Sequence, residues 1–191
     1  MSRRRGLMAT ANRPLFELTN TTVTRGQSFS SGVSPFKSNE PCTILIDFTN
    51  TENPTTTPAD RWKLLRCYDE ALNKYPVMAG KATATTAYFT AWFYKAANDP
   101  AEMVIGANPE PHRHRLLFVH DANSNSATIM YKADNETIST IILSSTYSNS
   151  DAILTFGGPA NGGHSLPAGT INLAQVWDRV LSTEEINAFF A

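Results

Sequence analysis

One pair of carboxylates in the sequence has a spacing that acid–base catalysis could use. Asp134 and Glu136 lie two residues apart, as two carboxylates on one face of a strand would. The surrounding segment KADNET at 132–137 has Asn135 between them and the composition of a tight turn. A turn does not supply two facing carboxylates, so we interpret the pair as solvated turn residues and predict no catalytic site.

The histidines form one pattern that a metal ion could use. His112 and His114 would project to the same side of a strand, and two imidazoles in that arrangement can share a zinc ion. The sequence places no third ligand beside them, and Arg113 and Arg115 flank them with positive charge. We interpret these histidines as the polar entrance of a strand and predict no cofactor.

Aromatic and amide side chains in the predicted loops could bind a sugar, because ring faces cover apolar surface while amides bond hydroxyl groups. The candidate glycan-binding residues are Tyr147, Asn149, Asn161, Asn123 and Trp62. Tyr147, inside STYSNSD, is the best exposed aromatic of this set. Trp62 lies in an apolar segment, where a tryptophan is more often part of the core.

The charge distribution separates the first residues from the rest of the chain. No acid precedes residue 14, and four of the 16 basic residues lie there, so the remainder carries 12 basic and 17 acidic side chains. We predict that residues 1–14 form a flexible basic arm that docks on an acidic protein surface, with a frayed terminus as the alternative. Three adjacent arginines neutralise too few phosphates for strong nucleic-acid binding. The docking residues are Arg3, Arg4, Arg5 and Arg13.

Cysteine usage and hydrophobicity indicate where the chain is made. Cys42 and Cys67 lie in apolar segments without a CxxC spacing, so we predict buried free thiols rather than a disulfide. The apolar stretch after the basic start is too short for a secretory signal. No apolar run approaches the roughly 20 residues of a membrane-spanning helix. We expect an unprocessed chain made in the cytoplasm, without membrane insertion.

Segments of alternating hydrophobicity predict an all-β domain over residues 15–191. Ile44, Ile46 and Phe48 share one face of their strand, which is typical of half-buried antiparallel strands. The segment DANSNSA at 121–127 predicts a hairpin, and the segments 50–60 and 156–169 predict surface loops. Eleven strands are expected, at 15–19, 21–29, 42–49, 61–68, 84–94, 102–106, 114–121, 126–133, 137–144, 152–157 and 170–177.

One helix is predicted near residue 182. Ser182 and Glu185 form an S-x-x-E capping box, in which each side chain satisfies a backbone N–H of the first turn. Ile186, Phe189 and Phe190 have the i, i+3, i+4 spacing that buries one face of a helix. We expect this short helix to pack on the strands.

Three of these segments together resemble a known domain family. RHRLLFVHDANSNSATIMYKADN at 113–135 is similar to the paired strands of laminin-G-like, concanavalin A-like jelly rolls, and GTINLAQVWDRVLSTEEI at 169–186 to their closing strand and helix. FSSGVSPFKSNEPCTILIDFTN at 29–50 resembles the opening of such domains in tailed-bacteriophage structural proteins, with Ser30 and Ser31 where Asp-Thr is usual. The resemblance covers residues 15–191 and implies a two-sheet antiparallel jelly-roll sandwich with one short C-terminal helix.

The resemblance implies functions of three classes. We prefer a non-enzymatic bacteriophage virion protein, displayed on the particle as a capsid decoration or a head or tail fibre, whose arm contacts other virion proteins. A lectin-like module for attachment to host glycans is the alternative. A glycosidase is disfavoured, because the chain lacks the paired-carboxylate strand of glycosidases with this fold. Rim calcium sites of such domains would draw here on Asp121 or Asp151, and the oligomeric state stays open.

Overall fold

The structure is a computed structural model that describes residues 13–37, 40–51, 62–70, 74–81, 88–94, 100–106, 112–124, 126–144, 150–157 and 166–191. Within these ranges the chain forms 12 strands and one helix. The strands are β1 (Phe16–Val23), β2 (Phe29–Ser30), β3 (Cys42–Asn50), β4 (Lys63–Asp69), β5 (Lys74–Lys81), β6 (Tyr88–Tyr94), β7 (Pro100–Gly106), β8 (Arg113–Asp121), β9 (Ser126–Ala133), β10 (Ser139–Ser144), β11 (Leu154–Phe156) and β12 (Gly169–Trp177), and the helix is α1 (Thr183–Phe190).

The strands form two six-stranded sheets. The back sheet has the order β1-β12-β3-β8-β9-β10, and the front sheet has the order β2-β11-β4-β5-β6-β7. All of the strand pairs are antiparallel. The two-sheet antiparallel jelly-roll sandwich predicted from the sequence is therefore confirmed.

The main core lies between the two sheets. The alternating residues Ile44, Ile46 and Phe48 of β3 are fully buried in it, together with Phe118 of β8 and Phe156 of β11. Successive side chains of a strand point to opposite faces, so one face of each strand supplies this core. Burial of these aliphatic and aromatic side chains is the main stabilising contribution to the sandwich.

The prediction that β3 is buried on one face only is wrong. Leu45 of β3 and Leu117 of β8 lie on the outward face of the back sheet and are nevertheless buried. They form a second apolar cluster with Leu181 and with Phe190 of α1, which packs on this face. The helix therefore covers part of the outward face of the back sheet.

The helix begins as the capping box predicts. The Ser182 Oγ accepts from the Glu185 N–H at 3.3 Å, and the Glu185 Oε2 accepts from the Ser182 N–H at 2.7 Å. At the other end, Arg115 Nη1 and Lys132 Nζ donate to the carbonyl of Phe190 at 2.9 and 2.8 Å. Both ends of this eight-residue helix are therefore tied by side chains.

The β8–β9 hairpin predicted from DANSNSA is confirmed by the pairing of Asp121 with Ser126. The KADNET turn is confirmed as well, with Asp134 in the left-handed region at φ 40°. The predicted strands 15–19 and 21–29 are instead the single strand β1, followed by the two-residue β2. The predicted loops at 50–60 and 156–169 lie for the most part outside the described residues.

Strand β5 is missing from the sequence prediction because KYPVMAGK contains two residues that normally interrupt strands. Pro76 falls where the β4–β5 register shifts, so the ladder loses no regular hydrogen bond at the proline. Gly80 lies against β4, where a β-carbon would be 2.1 Å from the Trp62 carbonyl oxygen. Both residues fit β5 only because of the way it packs on β4.

The described part of the chain contains no helix that is long and apolar enough to cross a membrane.

Candidate functional site

The outward face of the front sheet carries a row of residues that runs across its strands. Ser30 pairs with Thr155, Thr155 with Arg66, and Arg66 with Met78. Directly opposed residues of antiparallel strands lie on the same face of a sheet. The two residues that flank Thr155 are buried in the main core, so this row faces away from the core.

The same register continues onto the last two strands of the front sheet. Trp92 of β6 pairs with Met78, and Glu102 of β7 pairs with Trp92. The backbone therefore places Arg66, Met78, Trp92 and Glu102, from four different strands, at successive positions of one row. These residues are far apart in the sequence and become neighbours only through strand pairing.

Arg66 and Tyr68 form the best-defined pair of this face. The guanidinium carbon of Arg66 lies 5.3 Å from the centroid of the Tyr68 ring, within the range of a cation–π contact. The Thr155 Oγ1 donates to the Arg66 carbonyl at 3.1 Å and thereby fixes the strand beside the pair. Both side chains are half-buried, and Met78 in the same row is 6% exposed. The pair is therefore partly shielded from solvent by its surroundings.

The chemistry of this pair suits binding. A guanidinium is charged over the whole accessible pH range and presents a planar set of donors that matches a carboxylate. A tyrosine offers a ring face for apolar contact and a hydroxyl group for hydrogen bonds. We call this set of described residues, Ser30, Arg66, Tyr68, Met78 and Thr155, the front-face site.

A second polar cluster lies on the outward face of the back sheet. Arg113 binds Asp47 through two hydrogen bonds, Nε to Oδ1 at 2.9 Å and Nη2 to Oδ2 at 2.6 Å. Asn172 donates to Asp47 at 3.0 Å and to Thr49 at 2.8 Å. The bond to Asp47 raises the pKa of Arg113. The charges of this cluster satisfy each other and join β12, β3 and β8, so we interpret it as structural.

The predicted carboxylate pair has the turn role expected of it. The carboxylate of Asp134 accepts hydrogen bonds from the backbone N–H groups of His112 and Arg113 at 3.2 and 2.8 Å. Asp134 itself lies in the turn between β9 and β10. Glu136 is exposed in the same turn. The two carboxylates are bound to backbone or solvated and do not flank a cleft.

The two histidines of the H-x-H pattern have different surroundings. His112 is exposed, whereas His114 is buried, with its Nδ1 hydrogen-bonded to the Tyr131 hydroxyl at 2.8 Å. In the part of the chain that the structure describes, no group of three or more His, Cys, Asp or Glu side chains could hold a metal ion. The absence of a cofactor stays a prediction.

Among the predicted glycan-binding residues, Trp62 is corrected by the structure. Its side chain is 6% exposed and packs edge-on against the His114 ring at 5.0 Å between centroids, so it belongs to the core and offers no surface platform. Asn123 is exposed in the β8–β9 turn. Tyr147, Asn149 and Asn161 lie outside the described residues.

The predicted calcium ligands are engaged by the protein itself. Asp121 accepts from the Ser124 hydroxyl at 2.7 Å and from the Asn123 N–H at 3.0 Å, and these two bonds lower its pKa. Asp151 is highly exposed and forms an ion pair with Lys37 at 3.2 Å. Calcium binding at Asp121 or Asp151 stays a prediction.

The docking arm is described only at its end. Arg13 is exposed ahead of β1, and Arg3, Arg4 and Arg5 lie outside the described residues. Docking through the arm therefore stays a prediction.

Comparison with known proteins identifies the class of fold. No family model matches the sequence, and no curated protein is significantly similar to it. Solved structures of jelly-roll β-sandwiches do match, and at identities of 14–16% they establish the fold alone.

The similar structures include a carbohydrate-binding module and domains of sialidases. The CBM40 module of a Ruminococcus gnavus IT-sialidase, bound to α2,3-sialyllactose, has a TM-score of 0.63 and 15% identity, covering 94% of this chain and 100% of the module. A leech intramolecular trans-sialidase has a TM-score of 0.59 and 16% identity, covering 90% of this chain and 27% of the enzyme. A Trypanosoma rangeli sialidase has a TM-score of 0.57 and 14% identity, with 90% and 27% covered.

The sequence analysis missed the front-face site. Its signal is the alternation within RWKLLRCYD at 61–69, where Arg66 and Tyr68 flank the apolar Cys67 and share one face of a strand. This alternation also fits an ordinary half-buried strand, so it does not by itself distinguish Arg66 and Tyr68 from other outward-facing residues.

Proposed function

We propose that this chain is a non-catalytic carbohydrate-binding module whose ligand lies on the front-face site. The observation that carries this proposal is the Arg66–Tyr68 pair, half-buried on an outward sheet face. Sugar sites combine an aromatic ring with a few fixed polar groups, and both are present here. The similarity in fold to a module bound to sialyllactose supports a glycan as the ligand.

The charge of Arg66 favours an acidic sugar. A carboxylate on the ligand can accept two parallel hydrogen bonds from one guanidinium, which are stronger than bonds between neutral groups. The Tyr68 ring holds the guanidinium from one side, which lowers the side-chain entropy lost on binding. Sialic acid at the end of a glycan is therefore the first ligand to test.

The virion function preferred from the sequence receives no support from the comparisons, which favour its lectin-like alternative. Display on a bacteriophage particle and production in the host cytoplasm stay predictions. A glycan-binding domain is compatible with either setting, because attachment needs only an exposed site.

A glycan array with matched variants tests the proposal. We expect the wild-type protein to bind sialylated glycans, and Arg66→Lys, which keeps the charge but not the planar donors, to bind about 10- to 100-fold more weakly. Tyr68→Ala should weaken binding as well. Thr22→Ala, an exposed change on β1 of the back sheet, is the matched control and should bind as the wild type does.

Circular dichroism should show that the variants are folded. A wild-type protein that binds no glycan on the array would overturn the proposal. Undiminished binding by both Arg66→Lys and Tyr68→Ala would move the site elsewhere on the molecule.

A further inference from the structure

Strand β10 forms an edge of the back sheet. Its residues Ser139–Ser144 pair with β9 at six consecutive positions without a register shift. No strand in the described ranges pairs with its other side. A regular edge strand presents a row of backbone N–H and C=O groups that can pair with another strand.

Strand β10 itself lacks three of the features that usually protect an edge, namely charged side chains, a proline and a bulge. Residues 137–144, TISTIILS, contain no charged side chain and no proline. Ile142 is 71% exposed, and Ile138 just before the strand is exposed as well. An uncharged, regular and apolar edge is a surface that favours strand pairing between molecules.

The opposite edge of the back sheet provides the contrast. Strand β1 carries Glu17, whose carboxylate accepts from the side chain of Gln175. The register of β1 with β12 is interrupted at Asn20, which has a φ of 45°. A charge and an irregularity protect β1, and neither is present in β10.

We propose that β10 pairs with β10 of a second copy of this chain, antiparallel and about a two-fold axis perpendicular to the back sheet. The two back sheets then form one continuous sheet across the dimer. A register centred on Ile142 places this residue opposite its equivalent and Thr140 opposite Ser144.

A second copy fits this edge better than a charged partner strand does. Isoleucine pairs with isoleucine and hydroxyl-bearing residues pair with each other, and such cross-strand pairs are stabilising. No like charges face each other, because the strand has none. The contact is small, since it rests on one six-residue strand from each molecule, so we expect a dimer that dissociates on dilution.

The dimer has a consequence that rests on the proposed glycan function. An axis perpendicular to the back sheet keeps both front sheets on the same side of the dimer. Two front-face sites would then face one glycan-coated surface, and binding of the first site would raise the effective concentration of the second.

Light scattering after size exclusion tests the dimer. We expect the wild-type mass to rise towards that of a dimer with increasing concentration, and Ile142→Lys to stay monomeric at all concentrations. Ile153→Lys is the matched control, because Ile153 is 48% exposed and precedes β11 at the other side of the sandwich. It should associate as the wild type does. Ile142 is so exposed that its replacement should leave the fold intact, which circular dichroism checks.

A wild-type protein that is monomeric at all concentrations would overturn the dimer, as would an Ile142→Lys variant that associates normally. Hydrogen exchange should show amides of β10 becoming protected as concentration rises. Ile142→Lys should keep the wild-type affinity for free sialyllactose and lose only retention on a dense glycan surface. A dimer without glycan binding would contradict the proposed function alone, and glycan binding by a monomer would contradict the dimer alone.

Discussion

Two arginines on outward sheet faces show how neighbours determine the role of a residue. Arg113 is bound by both oxygens of Asp47, so its charge is neutralised within the protein. Arg66 lies against the ring of Tyr68, with its guanidinium carbon 5.3 Å from the ring centroid. The same residue type therefore forms a bidentate ion pair on the back sheet and a cation–π contact on the front sheet.

The two thiols are free and buried, as the sequence predicts. Burial raises the pKa of Cys42 to about 12 and that of Cys67 to about 12. Thiolate is the reactive form, so we expect neither cysteine to react with a thiol reagent at mildly alkaline pH while the protein is folded. Both should react after unfolding in denaturant, and a colorimetric thiol assay measures the difference. Rapid labelling of the folded protein would show that these side chains are accessible.

At the scale of elements, the helix could be read from the sequence and strand β5 could not. The capping box and the spacing of Ile186, Phe189 and Phe190 are local patterns, and the structure confirms both. Strand β5 contains Pro76 and Gly80, which are explained only by the shifted register and close approach of β4. The sequence therefore predicts an element correctly when neighbouring residues determine it, as in the helix. It does not predict an element that tertiary packing determines, as in β5.

The start of the helix should make stability depend on acid pH. Two hydrogen bonds from Arg179, and then the Ser182 N–H, lower the pKa of Glu185 from 4.5 to about 2. A carboxylate with a lowered pKa stabilises the folded state above its unfolded pKa, and this contribution is lost as pH falls through the folded value. The difference in the free energy of unfolding between the wild type and Glu185→Gln should thus have its full value above about pH 4.5 and disappear as the pH falls to about 2.

Denaturant unfolding at a series of pH values measures this difference. Arg179→Gln should show the same loss, because it removes the main cause of the lowered pKa. A difference between wild type and Glu185→Gln that stays constant over this range would mean that the ion pair contributes nothing to folding.

At the scale of the whole molecule, the fold could be predicted and the site could not. Period-two alternation and the turn at 121–127 indicate an all-β sandwich with a C-terminal helix, and the family resemblance implies the jelly roll. The front-face site joins residues of β2, β4, β5 and β11, which are brought together by register alone. The main misplacement, Trp62, came from assigning a buried aromatic to the surface.

The location of a bound sugar is the most direct test of the proposed function. Amide chemical shifts should be followed by NMR while 3′-sialyllactose is added to the wild-type protein. We expect the largest changes at Arg66, Tyr68 and Thr155 on the front sheet, with none at the β8–β9 turn. Changes concentrated around Asn123 or Arg113, or no changes at all, would contradict a glycan site on the front face.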